Sequence, residues 1–227
     1  MIMHGVFVTG TDTGVGKTYI GAAVIRQLVT RGGSVLPRKP VESGCEVKFG
    51  EPYPADAAIL YVAADRPGNL MDVCPYRFRQ ALSPARAARL AGQQLTIDNL
   101  EQASVKDVTD ETFLWVEGAG GFYSPLAIDG LNADLATRLG LPVLLVAADQ
   151  LGCINHVLLT LQAIRRRGLK LIAVVLNRVS ANSVADMDNA EDLRQMIESP
   201  VFEIAHEENR AVNPQGTQLT ELLIQAT

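Results

Sequence analysis

Cysteine is scarce in this 227-residue chain: Cys45, Cys74 and Cys153 are the whole complement. They stand far apart with no C-x-x-C pair, which argues against a disulfide framework and a thiolate zinc site and points to a reducing compartment. Basic charge is also short. Twenty Lys and Arg against 25 Asp and Glu leave a net charge of −5, and a chain without a basic face is not drawn non-specifically to nucleic acid or anionic membrane. The single basic run, Arg165-Arg-Arg167, closes an amphipathic stretch and reads as a solvated helix C-terminus favoured by the dipole. No apolar run approaches the ~18 residues that span a bilayer. The start Met1-Ile-Met-His lacks the charged-then-apolar layout of an export signal, so a cytoplasmic protein with no nucleic-acid or membrane partner is expected.

What is present is alternation. Apolar runs that read as buried strands recur at Val6–Thr9, Ser34–Arg38, Phe113–Val116, Val143–Ala148 and Leu171–Leu176, with a weaker one at Val201–Ile204. Helical periodicity fills Thr18–Arg31, stopping at Gly32-Gly33, and Cys153–Arg167, stopping at Gly168. Ser83-Pro84 opens another helix to about Ala91, and Asn132–Gly140 reads as a further one. Residues 44–82 are poorer in periodicity and read as excursions around short helices at the C-terminal edge of the strands. The expectation is an α/β fold: a parallel sheet with crossover helices on both faces, and one domain over residues 1–227.

The richest local signal is Gly10-Thr-Asp-Thr-Gly-Val-Gly-Lys17-Thr18, which follows an apolar run and leads into a helical pattern. Backbone N–H groups around small residues at a helix start form a concave nest for phosphate, Lys17 adds a point charge, and the Thr18 hydroxyl suits Mg²⁺. Gly14 and Gly16 allow close approach of the backbone to phosphate. The spacing departs from G-x-x-x-x-G-K-T, because Thr11 stands where the first glycine belongs, so a variant P-loop binding a nucleoside triphosphate is expected.

In an open parallel sheet ligands gather beyond the carboxyl ends of the strands. Glu117 ends the third expected strand, where P-loop proteins place an acid for the metal. Mg²⁺ takes one or two carboxylates with waters and phosphates, and Thr18, Glu117 and Asp56 offer such a set. Asp56 reads equally as a helix cap. Lys39 and Ser43 follow the second strand and could face the phosphates together, although Lys39 reads equally as a surface lysine. Free N–H groups in Leu151-Gly-Cys-Ile-Asn155-His156 make a site for a carboxylate or phosphate at a helix start.

Taken in order, Gly10-Thr-Asp-Thr13…Gly16-Lys17-Thr18, Lys39-Pro-Val…Ser43-Gly44, Asp56-Ala57, Pro75-Tyr76, Ser83-Pro84, Val116-Glu-Gly-Ala-Gly-Gly121 and Leu151-Gly-Cys-Ile-Asn-His156 closely resemble the dethiobiotin synthetase family over most of the chain. The resemblance implies a variant P-loop enzyme that turns 7,8-diaminononanoate, CO₂ and ATP into a cyclic urea through a carbamate and its mixed anhydride with phosphate. It implies nucleotide contacts from Asp12, Thr13, Gly14, Val15, Gly16, Lys17 and Thr18, with Asn177 on adenine. It also implies Mg²⁺ on Thr18, Asp56 and Glu117, and catalytic roles for Thr13, Lys17, Lys39 and Ser43. Substrate contacts would come from Ser43, Glu117, Gly118 and Gly121. Gly152, Cys153, Ile154 and Asn155 would receive the substrate carboxylate across a homodimer interface. Two positions depart from the family. Gly14 stands where known members carry Glu, and a tyrosine that holds the substrate tail is lacking, Asn189 being its nearest equivalent. The segment after Ala205 is expected to cover the adenine.

The alternative is a regulatory or partitioning ATPase of the related variant P-loop type. Such proteins usually carry a lysine early in the loop that reaches a partner's phosphates, where this chain has Asp12; an acid cannot neutralise them.

Overall fold

The computed structural model describes residues 3–179, 186–205 and 214–226. Its centre is a six-stranded sheet of β1 (Gly5–Gly10), β2 (Ser34–Arg38), β3 (Thr112–Gly121), β4 (Val143–Ala148), β5 (Leu171–Asn177) and β6 (Val201–Ile204). The order is β6-β5-β4-β1-β3-β2, and every pairing is parallel. The described helices are α1 (Lys17–Thr30), α2 (Ala55–Ala63), α3 (Leu70–Val73), α4 (Pro84–Leu90), α5 (Ile97–Val105), α6 (Asn132–Leu139), α7 (Cys153–Arg166), α8 (Asn189–Met196) and α9 (Pro214–Ala226).

The strands are apolar throughout because both faces of the sheet are covered, and the two-residue period sorts their side chains. Val6 and Val8 of β1 and Leu144 and Val146 of β4 join Ile20, Ile25 and Leu28 of α1, Leu60 of α2, and Leu219 and Leu223 of α9. Phe7, Leu145 and Ala147 point the other way, into a core with Leu100 of α5, Leu135 of α6, Val157 and Leu161 of α7, and Leu193 of α8. Each fully buried large apolar side chain contributes about 1.5–3 kcal/mol, so the two layers rather than any local propensity hold the sheet.

Five expected strands fall within a residue of their observed limits, and Ser34–Arg38, Val143–Ala148 and Val201–Ile204 coincide with them. The strand expected over Phe113–Val116 runs on to Gly121. After an irregularity between Val8 and Gly10, β3 resumes pairing at Gly10↔Gly121, so Glu117 lies within the strand instead of ending it. Residues 44–82 hold the antiparallel pair Glu46–Lys48 and Glu51–Tyr53, then α2 and α3. Chain order changes direction about β1, whose neighbours are β4 and β3, and the crevice at its carboxyl end is the place an α/β sheet offers a ligand. Among the described residues no helix is long and apolar enough to cross a membrane.

Candidate active site

The loop Thr11–Gly16 leaves the carboxyl end of β1 and turns into α1. Gly10 is needed for that turn, since a Cβ there would lie 2.7 Å from the Asp12 carbonyl oxygen and 2.8 Å from Val15. Gly16 has φ +94° and a Cβ on it would meet Asn177 Nδ2 at 2.1 Å, so no side chain fits. Gly16 is also the N-cap of α1, whose first turn has no side-chain cap and no acid. Its N–H groups are left for an anion. Lys17 Nζ donates to the Asp12 carbonyl at 3.2 Å, and the Asp12 carboxylate accepts the Thr13 N–H at 2.7 Å, so the loop is closed on itself.

Beneath the loop lies a cluster of opposite charges. Lys39 follows β2 and is 4% exposed, so it is no surface lysine. Its Nζ donates to Glu117 Oε1 at 2.6 Å and sits 3.1 Å from Asp56 Oδ2. The Thr18 hydroxyl donates to the same Glu117 Oε1 at 2.6 Å. Glu117 is wholly buried, and its Oε2 has no protein partner. Asp56 lies in the first turn of α2 but does not cap it; Glu42 does, accepting the N–H groups of Asp56 and Ala57 at 3.1 and 3.0 Å.

The charges move the proton affinities. Burial opposes the Lys39 ammonium, yet Glu117 and Asp56 beside it raise its pKa well above the ordinary lysine range. For Asp56, burial is likewise outweighed by Lys39, and its pKa is lowered. Lys17 is pushed down to about 8, by burial first and then by the neighbouring charge of Lys39. A buried lysine so placed gains from an incoming polyanion.

These groups line one cleft of about 1460 Å³. Thr13, Gly14, Gly16, Lys17 and Thr18 line it together with Lys39, Ser43, Asp56 and Glu117. Ser43 is held by a hydrogen bond of 2.7 Å from its hydroxyl to the Leu82 carbonyl. Ala119, Gly120 and Ser124 also line the cleft. Sequence reading missed them because this end of β3 is shaped from outside: Asn132, thirteen residues on from Ala119, accepts the Ala119 N–H and donates to the Ala119 and Gly121 carbonyls. Gly118 packs against Asn132, and Gly121 donates to the Ser124 hydroxyl; neither lines the cleft.

Other expected site residues lie apart from it. Val15 is buried under the loop, and Asn177 is 3% exposed, its Nδ2 donating to the Val15 carbonyl at 3.0 Å while Oδ1 has no protein partner. Gly152, Cys153, Ile154 and Asn155 start α7, where Gly152 has φ +89°, the Cys153 N–H donates to the Gln150 carbonyl at 3.0 Å, and the first turn has neither a side-chain cap nor an acid. Cys153 is buried, and burial raises its thiol pKa. Asn189 is turned inward, donating to Asp149 Oδ1 at 2.8 Å, so it holds the chain ahead of α7 rather than presenting itself to a ligand. The segment 206–213, expected over the adenine, lies outside the described residues. Among the described residues no group of three Asp, Glu, His or Cys could hold a metal unaided.

A phosphate-binding loop at the switch point of a parallel sheet, with a buried acid and two lysines below it, defines a P-loop nucleotide-binding protein of the α/β class. The fold matches solved P-loop structures. The septum site-determining protein MinD complexed with Mg-ADP from Pyrococcus horikoshii aligns with a TM-score of 0.58 at 15% identity, over 99% of this chain and 96% of that one. A plasmid partition protein from Borrelia burgdorferi aligns at 0.54 and 10%, over 98% and 100%. Residues 4–213 match a family model described as an AAA domain. Among curated proteins, an ATP-dependent dethiobiotin synthetase BioD of Anaeromyxobacter dehalogenans is 45% identical over 78% of this chain and 77% of its own. Those of Anaeromyxobacter sp. Fw109-5 and Rhodopirellula baltica are 41% and 39% identical, covering 90% and 86% of this chain and 91% and 81% of theirs. The chain belongs to the ATP-dependent dethiobiotin synthetase family.

Proposed function

We propose that this protein closes the cyclic urea of dethiobiotin from 7,8-diaminononanoate, CO₂ and ATP, with Mg²⁺ as the metal. The observation that carries the reading is the pair of buried lysines facing one cleft from two strand ends, Lys17 under the loop and Lys39 between Asp56 and Glu117. The carbamate formed from one amine and CO₂ attacks the γ-phosphorus and ADP leaves; the second amine then attacks the carbamoyl carbon and phosphate leaves. No covalent nucleophile from the protein is required, only alignment of a carbamate oxygen with the phosphorus and neutralisation of the charge.

The roles divide by position. Lys17, Thr13 and the N–H groups of the loop and α1 take the β- and γ-phosphates. Lys39 and Ser43 stand across the cleft to hold the carbamate and the amines, and Asn177 has a free acceptor for an adenine amine. The unpartnered Oε2 of Glu117, the Thr18 hydroxyl and the Asp56 carboxylate are hard oxygen donors, the kind Mg²⁺ takes alongside phosphate and water. When bound there, Mg²⁺ supplies charge to the phosphate oxygens. Gly152 to Asn155 lie off the cleft of their own subunit, which supports a homodimer whose partner receives the substrate carboxylate on these N–H groups.

Phosphate release tests the reading. The expected result is release that needs both diaminononanoate and bicarbonate and is lost by about a thousandfold in Lys17→Ala and Lys39→Ala in protein that still folds, as for a charge acting on the transferring group. Release stimulated only by DNA or another protein would point to the switch ATPase alternative.

A further inference from the structure

We infer that Glu42 is a positioning residue, which caps α2 from a neighbouring strand and thereby sets Asp56 at the cleft; the inference rests on the reading of Asp56 as a metal ligand. α2 begins after Pro54, which makes no side-chain cap hydrogen bond. The first N–H groups of the helix therefore need an acceptor from elsewhere. Glu42 supplies it with both oxygens: Oε1 accepts the Asp56 N–H at 3.1 Å and Oε2 the Ala57 N–H at 3.0 Å. A carboxylate is favoured there by the helix dipole as well.

An aspartate at a helix start commonly caps its own helix. Here Asp56 is the second residue of the helix, past the N-cap Pro54, and its carboxylate meets Lys39 at 3.1 Å. Glu42 has little freedom to move. It is 7% exposed and belongs to the strand Val41–Ser43, which pairs with Tyr76–Phe78 in the register Glu42↔Arg77. Lys39 precedes this strand and is tied by its N–H to the Val73 carbonyl at 2.9 Å. One short segment thus fixes both members of the Lys39–Asp56 pair, Lys39 directly and Asp56 through Glu42.

Glu42→Gln keeps the shape but turns an amide donor toward the helix N–H groups. The test is the affinity of a non-hydrolysable ATP analogue, measured by calorimetry with and without Mg²⁺, for the wild type, Glu42→Gln, Asp56→Asn and the double variant, with melting alongside. We expect the gain in affinity from Mg²⁺ to fall about tenfold in Glu42→Gln, as when a metal ligand loses the group that orients it, with metal-free affinity unchanged. On the Asp56→Asn background the same change should add less than about twofold, since both act through one carboxylate. An unchanged Mg²⁺ gain in a folded Glu42→Gln protein, or losses that multiply in the double variant, overturns the inference. If Glu42→Gln does not fold, Pro54→Ser is added to place a local hydroxyl at the cap. Recovery of folding together with the Mg²⁺ gain supports the inference; recovery without that gain, or no recovery, overturns it. An unchanged gain in Asp56→Asn alone sinks the metal reading itself and Glu42's role with it, a result distinct from failure at Glu42 only.

Discussion

Lys17 carries a consequence for pH. Its pKa of about 8 lies below the ordinary lysine value because the folded chain desolvates it and sets Lys39 nearby. Between pH ~8 and ~10.5 the unfolded chain holds this proton and the folded one does not, so the penalty from Lys17 is full below about 8 and fades as pH rises to about 10.5. Phosphates reverse the balance by favouring the ammonium. We therefore expect nucleotide binding to take up close to one proton near pH 9 and almost none at pH 7, and to weaken above pH ~8. Calorimetry in buffers of different ionisation heat measures this; equal uptake at both pH values, or uptake that persists in Lys17→Met, contradicts it. At this scale Lys17, Thr18 and Glu117 were legible because one motif and the apolar run before Glu117 name them, although Glu117 lies inside β3 and not at its end. Lys39 and Asp56 each had two readings from spacing alone, and Glu42 had none, since the N–H groups it caps lie fourteen and fifteen residues further along the chain.

The elements were legible where both faces of the sheet are covered. Strands buried on each side become continuous apolar runs, and Ser34–Arg38 and Val143–Ala148 stand out on that ground. The extension of β3 to Gly121 was hidden, because Gly118 to Gly121 reads as a turn until pairing with Gly10 is seen. Helices α5 and α9 were also missed. In α5 the burial rests on Ile97, Leu100 and Ser104 behind a Thr96–Asn99 capping box, and in α9 Leu219 and Leu223 face a core whose other members are distant in sequence. If the two apolar layers hold the sheet, Leu145→Ala, in a wholly buried position of β4, should cost about 2–5 kcal/mol in urea unfolding. Ile224→Ala on the half-exposed side of α9 should stay within about 0.5 kcal/mol. Equal losses at the two sites would contradict the layered account.

For the whole molecule, the proposed dimer sets the α7 start of one subunit against the cleft of another. Ile154 and Asn155 carry first-turn N–H groups that no side chain caps, away from the cleft of their own chain, which fits a second copy supplying them. Ile154→Pro removes one of these donors at a first-turn position where proline is tolerated. Mixed and re-equilibrated with Lys39→Ala, it should restore about a quarter of wild-type dethiobiotin formation, because half the dimers are mixed and each holds one intact site. No recovery on mixing would count against a site shared between subunits.

In the proposed reaction one anion-filled cleft joins Lys17 and Lys39. A crystal structure with a non-hydrolysable ATP analogue, Mg²⁺ and carboxylated diaminononanoate tests it most directly. The terminal phosphate should lie within hydrogen-bond reach of Lys17 and the carbamate within reach of Lys39, the two groups adjoining. Lysines engaged with separate ligands, and no phosphate next to a carbamate, would contradict it.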